Sequence, residues 1–80
     1  MKIKKWTPVI VHWGDAHGAP DGNWQSADTL LHKPTPVVTV GLLWQYDSAG
    51  VTVVHCKAGD DVGGYTFVPK ANIRSIKPLK

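Results

Sequence analysis

Apolar, β-branched runs recur at intervals of about ten residues along this chain of 80 residues, and turn-forming residues stand between them. That cadence limits the fold more than any other feature. Short strands with turn signals every eight to twelve residues describe an all-β sandwich or barrel. The run PVIVHW (8–13) alternates Val9, Val11 and Trp13 against Ile10 and His12. It opens with a proline, as a first-residue or edge strand can. PVVTVGLLWQY (36–46) and VTVVHCK (51–57) flank DSAG (47–50), which predicts a hairpin closed by a turn. AGDDVGG (58–64) predicts a second turn, YTFVP (65–69) a short strand, and ANIRSIKPL (71–79) a turn and a last strand. In a five-stranded barrel the first and last strands commonly pair, which would bring the two chain ends together.

Two segments break the cadence. GDAHGAPDGN (14–23) holds three glycines and a proline and is a loop by composition. SADTLLHKP (26–34) is the one helical candidate: Ser26 can cap it, Leu30 and Leu31 give it a small apolar face, and Pro34 limits it. The chain has no internal repeat and the length of one small domain. Hydrophobic residues make up 42% of it and charged residues 19%, a balance that excludes disorder. A single cysteine, Cys56, excludes an intramolecular disulfide framework and fits a reducing, cytoplasmic setting. The opening MKIKKW is basic like a secretory leader, but only Val9, Ile10 and Val11 form a consecutive aliphatic run behind it. No apolar run is long enough to span a membrane.

The hairpin carries a family likeness. GLLWQYD (Gly41–Asp47) resembles the G-x-L-x-x-aromatic-Asp run of Sm-like proteins, and VPKANIRSI (68–76) stands where those proteins carry a second motif ending in Asn-Ile, matched by Asn72 and Ile73. The family's asparagine four residues after the aspartate is Val51 here, and its Arg-Gly is Pro69-Lys70. The resemblance therefore implies the barrel and not the RNA pocket. GY followed by VPKAN is similar to the end of a Src-homology-three barrel, with Ile73 where that family has a peptide-binding tyrosine. The whole pattern also resembles small barrels encoded by bacteriophages and prophages. Together these imply an all-β, five-stranded SH3-like/Sm-like barrel with one short helix inserted after the first strand.

Most catalytic chemistry is excluded by spacing. His55 and Cys56 are strand neighbours and point to opposite faces, so they form no dyad. Cys56 is expected inward with Thr52 and Val54 as a small hydrophobe, with His55 and Lys57 facing solvent. His12, Asp15 and His17 lie within six residues, but that spacing matches no common closed zinc site, and His32 would join only if the helix folded over the loop. A polar loop with a turn-forming Asp15 is the expected arrangement. AGDDVGG precedes a strand rather than a helix, so it lacks the helix-terminus mechanism of phosphate cradles. Asp60 and Asp61 share one exposed turn, where nothing separates their pKa values for acid–base work. The expectation is a non-enzyme without metal or cofactor.

Binding features remain. Of the four tryptophans, Trp44 is expected in the core with Leu42. Trp24, in the polar stretch DGNWQSAD, either plugs one barrel end beside Leu30 and Leu31 or stands exposed as an aromatic anchor. Trp13, next to Gly14, is a similar case. The net charge is +3, but two lysines against six aspartates leave the middle at −4 while the two ends carry +7. The leading expectation is a protein-binding module, a phage-type modulator of a bacterial host protein, using Trp13, Asp15, His17 and Trp24 around the 14–25 loop. The competing class is nucleic-acid binding through a basic pole of Lys2, Lys4, Lys5, Lys70, Arg74 and Lys77. A third is self-assembly through edge strands.

Overall fold

The computed structural model describes residues 2–16, 24–30 and 32–79, Thr29 by its backbone alone. They form five strands: β1 (Pro8–Asp15), β2 (Thr35–Tyr46), β3 (Gly50–Ala58), β4 (Asp61–Pro69) and β5 (Ile73–Pro78). All pairings are antiparallel, in the order β4-β3-β2-β1-β5. The all-β class and the five strands agree with the sequence. So does the meeting of the ends: β1 pairs with β5 from Val9↔Pro78 to Trp13↔Ile73.

Closure does not follow. β4 and β5 are the two edges of the sheet, and among the described residues no pairing joins them. Between these strands the chain makes a short 3₁₀ turn, Lys70–Asn72, which lies against both β1 and β3. The helix expected at 26–34 is also reduced to one 3₁₀ turn, Ala27–Thr29. Its capping serine is spent elsewhere, since the Ser26 hydroxyl donates to the Asp28 carboxylate, and Leu30 is already extended (φ −69°, ψ 140°). One short apolar pair is too little tertiary contact to offset the cost of nucleating a helix.

The sheet turns back on itself along β2. Thr35–Leu42 pair with β1, whereas Leu42–Tyr46 pair with β3. Gly41 stands where the partner changes, and a Cβ there would lie 2.5 Å from the Val54 carbonyl oxygen. The two halves enclose a core of Val9, Val11, Leu43, Val51, Val53, Val68 and Ile76, with Ile3, Trp13, Tyr46 and Ile73 packed around it. Each fully buried valine contributes about 1.5–2 kcal/mol. Trp13 is half-buried, and its indole N–H donates to the buried Thr39 hydroxyl at 3.0 Å. Asn72 Nδ2 donates to the Gly14 carbonyl at 2.8 Å, tying the last turn to β1.

Two inward assignments are overturned. Alternation along β2 from the buried Thr39 puts Leu43 in the core and leaves Trp44 outward, 43% exposed. The register shift between Leu43 and Gln45 makes Trp44 a bulge, and that extra residue changes the phase so that Tyr46, not Gln45, packs on the core. Cys56 is exposed because the inner positions of β3 are Val51 and Val53. It also lies past Val54, the last β3 residue paired with β2. From there β3 and β4 continue as a two-stranded arm to Ala58↔Asp61. The expected turn at 58–64 is thus only Gly59 and Asp60, and the rest belongs to β4.

The β2–β3 turn is built as expected. Asp47 N donates to Gly50 O at 3.0 Å and Gly50 N to Asp47 O at 3.2 Å, while the Asp47 carboxylate accepts from Ala49 N at 2.9 Å and Gln45 Nε2 at 2.7 Å. Those bonds, Gln45 first and Ala49 next, hold the carboxyl below the usual aspartate range. Gly50 adopts φ +152°, and a Cβ there would fall inside the Val68 carbonyl oxygen.

Candidate functional site

The segment before β1 is folded back along the second half of β2. Trp6 N donates to Leu43 O at 2.6 Å, Leu43 N to Thr7 O at 2.9 Å, and Thr7 N to Lys4 O at 3.1 Å. Trp6 takes φ +72° to make this turn, a left-handed conformation that costs a non-glycine residue about 1–2 kcal/mol. Backbone pairing and the packing of Ile3 on the core offset that cost. The result is an open cleft of about 580 Å³ with Lys2, Lys4 and Lys5 on one side and Trp44, Gln45 and Tyr46 on the other.

Cations and rings alternate along this surface. Lys57 Nζ lies 4.9 Å from the Trp6 ring centroid. Lys5 Nζ lies 5.3 Å from the Trp6 centroid and 5.3 Å from that of Trp44. Further along, Lys70 Nζ lies 4.5 Å from the Tyr46 centroid and donates to its hydroxyl at 2.7 Å. All four contacts fall within the roughly 6 Å reach of a cation–π interaction. Each lysine here is exposed, so its charge also remains available to an anion.

This arrangement divides the basic residues read from the chain ends. Lys5 and Lys70 join the aromatic row, and Lys2 and Lys4 line the cleft beside it. Arg74 instead lines a second open cleft, of about 560 Å³, with Gly14, Asp15, His32, Lys33 and Asn72. Lys77 is exposed on β5 across from Ile10. Sequence reasoning left Lys57 and Trp6 out of any site and assigned Trp44 to the core, setting aside a binding surface of Trp44 and Tyr46. Trp44 and Tyr46 were visible as an i, i+2 aromatic pair in LLWQYD, but only the bulge lets one ring stand outward while the other packs on the core.

The other sequence candidates lie apart. Trp24 is 100% exposed beside the first 3₁₀ turn and Leu30 is 62% exposed, so Trp24 does not plug an end of the sheet. Trp13 packs on the core and its N–H is engaged. Asp15 is exposed at the end of β1, and His17 lies outside the described residues. His55 Nε2 lies 2.9 Å from Thr66 Oγ1. Among the described residues, no three His, Cys, Asp or Glu side chains gather into a set that could hold a metal ion, and no helix is long and apolar enough to cross a membrane. No family model matches the chain, and no curated protein or solved structure similar to it was found.

Proposed function

We propose that this chain is a non-enzymatic, nucleic-acid-binding module of the small Src-homology-three/Sm barrel type. The observation that carries this reading is the unbroken run Lys57–Trp6–Lys5–Trp44, with Tyr46 lining the same cleft as Trp44 and Lys70 over the Tyr46 ring. Proteins that hold nucleic acid without reading its sequence combine a basic track for phosphates with aromatic faces for bases. The strand order, with β1 and β5 adjacent and β2 shared between halves, supports the barrel assignment.

The test is fluorescence anisotropy of a labelled oligonucleotide against salt. Lys2, Lys4, Lys5, Lys57 and Lys70 are five cations on one surface. Five phosphate contacts give a slope of log K on log salt of about −3.5 to −4.5. Affinity should then fall on the order of 100-fold or more between 50 and 200 mM salt, and Lys5→Glu with Lys57→Glu should remove it. Absence of binding at 50 mM salt would refute the proposal.

A second reading is supported by the fully exposed indole of Trp24. In it the 14–25 loop docks on a protein, in the manner of a phage-type modulator of a host protein, with the partner's pocket closing on that ring. Nuclease-resistant capture of a discrete protein, lost in Trp24→Ala and kept in Lys5→Glu with Lys57→Glu, would favour this reading over the first.

A further inference from the structure

We propose that the ligand is specifically single-stranded, and that an unpaired base enters by taking the place of the Lys5 ammonium on the face of Trp44. This deepens the nucleic-acid reading and rests on it. Lys5 is shared between two rings, each 5.3 Å away. Trp6 is half-buried and has a second ammonium, Lys57, at 4.9 Å. Trp44 is 43% exposed, stands on the outer face next to the buried Leu43, and of these two lysines contacts only Lys5. It is the ring whose face is most easily vacated.

A stacked base is the stronger occupant. Base–aromatic stacking is worth roughly 5- to 150-fold in affinity per base, more than a cation–π contact at an exposed site. The displaced ammonium sits on a flexible four-carbon stem, so it swings from the ring to the phosphate beside the incoming base. Lys2 and Lys4, on the same cleft, supply the neighbouring charges.

Duplex does not fit this surface. A duplex keeps its bases stacked on one another and offers no free face to Trp44. Groove reading needs an inserted helix or β-ribbon, and the helical pieces among the described residues are 3₁₀ turns of three residues. The β3–β4 arm is the available ribbon, and its tip carries exposed Asp60 and Asp61, which repel phosphates.

The experiment compares three fluorescein-labelled probes against the full chain at fixed low salt: a twelve-nucleotide thymidine strand, an abasic strand of the same length, and a twelve-base-pair duplex. The thymidine strand should bind at least 10-fold more tightly than either of the others. In Trp44→Ala that ratio should fall to about one, and in Trp44→Phe most of it should return. The ratio is read within each protein, so a change in folded fraction cancels. Equal binding of thymidine and abasic strands, or a ratio unmoved by Trp44→Ala, would overturn the stacking inference while leaving phosphate binding intact. No binding of any probe would overturn the functional reading and this inference together.

Discussion

Four glycines allow the bend of β2 and the turns of the sheet to be tested as a factorial design. At Gly41 a Cβ would meet the Val54 carbonyl oxygen at 2.5 Å while the backbone φ is ordinary. At Gly59 φ is +61° but nothing lies within 4 Å. Gly50 combines both problems, φ +152° and a collision with the Val68 carbonyl oxygen. Gly63 has neither, with only an ordinary contact of 3.5 Å to Cys56 Cβ. Substituting alanine at each separates crowding from conformational strain. Overpacking costs about 1–3 kcal/mol and a left-handed non-glycine residue about 1–2 kcal/mol. Gly41→Ala should therefore cost about 2 kcal/mol, Gly59→Ala about 1, and Gly50→Ala about 3–4, close to their sum for independent effects. Gly63→Ala should be neutral or slightly stabilising, because it stiffens the unfolded chain. A domain of this size has roughly 4–12 kcal/mol to lose, so Gly50→Ala removes about a quarter of it or more. Urea unfolding followed by tryptophan fluorescence would read the loss as a midpoint shift of about 3 M, at a slope of about 1 kcal/mol per molar. Equal costs at positions 50 and 59 would refute the argument. They would mean that the turn does not press on β4 and that the Gly50↔Pro69 register is wrong.

Three further outcomes follow from single contacts. Trp13→Phe should cost about 1 kcal/mol by removing the donor to Thr39, and adding Thr39→Val should recover most of that; full additivity in the urea midpoints would show that the bond contributes nothing. Asp47 has a lowered pKa, so its contribution to stability is present above the unfolded value of about 3.8 and is lost as pH falls through the lower folded value. The midpoint gap between the native chain and Asp47→Ala should accordingly be constant from pH 7 to 5 and shrink below about pH 4; a gap unchanged at pH 2.5 contradicts it. Trp24→Ala should leave stability within about 0.5 kcal/mol of the native chain, and a larger loss would mean that the indole is packed in solution.

Strand positions were legible because valine and isoleucine crowd the runs and glycine, aspartate and proline stand between them. The β1–β5 pairing was legible from fold-level rules alone. The inner face of β2 was not, since Leu42, Leu43 and Trp44 are all apolar and offer no alternation to choose between them, and the bulge at Trp44 then shifts the phase so that Tyr46 packs on the core. Cys56 was misplaced for a related reason: alternation says which face a residue takes but not whether a third strand arrives to cover that face. The basic residues were read as one pole because the ends were expected to meet. They do meet, yet strand geometry sends Arg74 to the cleft beside Asp15 and Lys70 to Tyr46. Lys57, 52 positions from Lys5 along the chain, joins Trp6 only through the fold.

The pairing of Val9 with Pro78 has a consequence for biosynthesis. Of the five strands β1 is made first, and one of its two partners, β5, is made last. At roughly 5–20 residues per second, one edge of β1 stays bare for several seconds, and a bare edge is a template for foreign strands. Lys2, Lys4 and Lys5 immediately precede that strand, and charges placed there act as gatekeepers against such pairing. Premature termination between codons 71 and 76 would remove Ile76 from the core and the cover from β1 at once. Such a product should accumulate as aggregate, not as a weakened but folded protein.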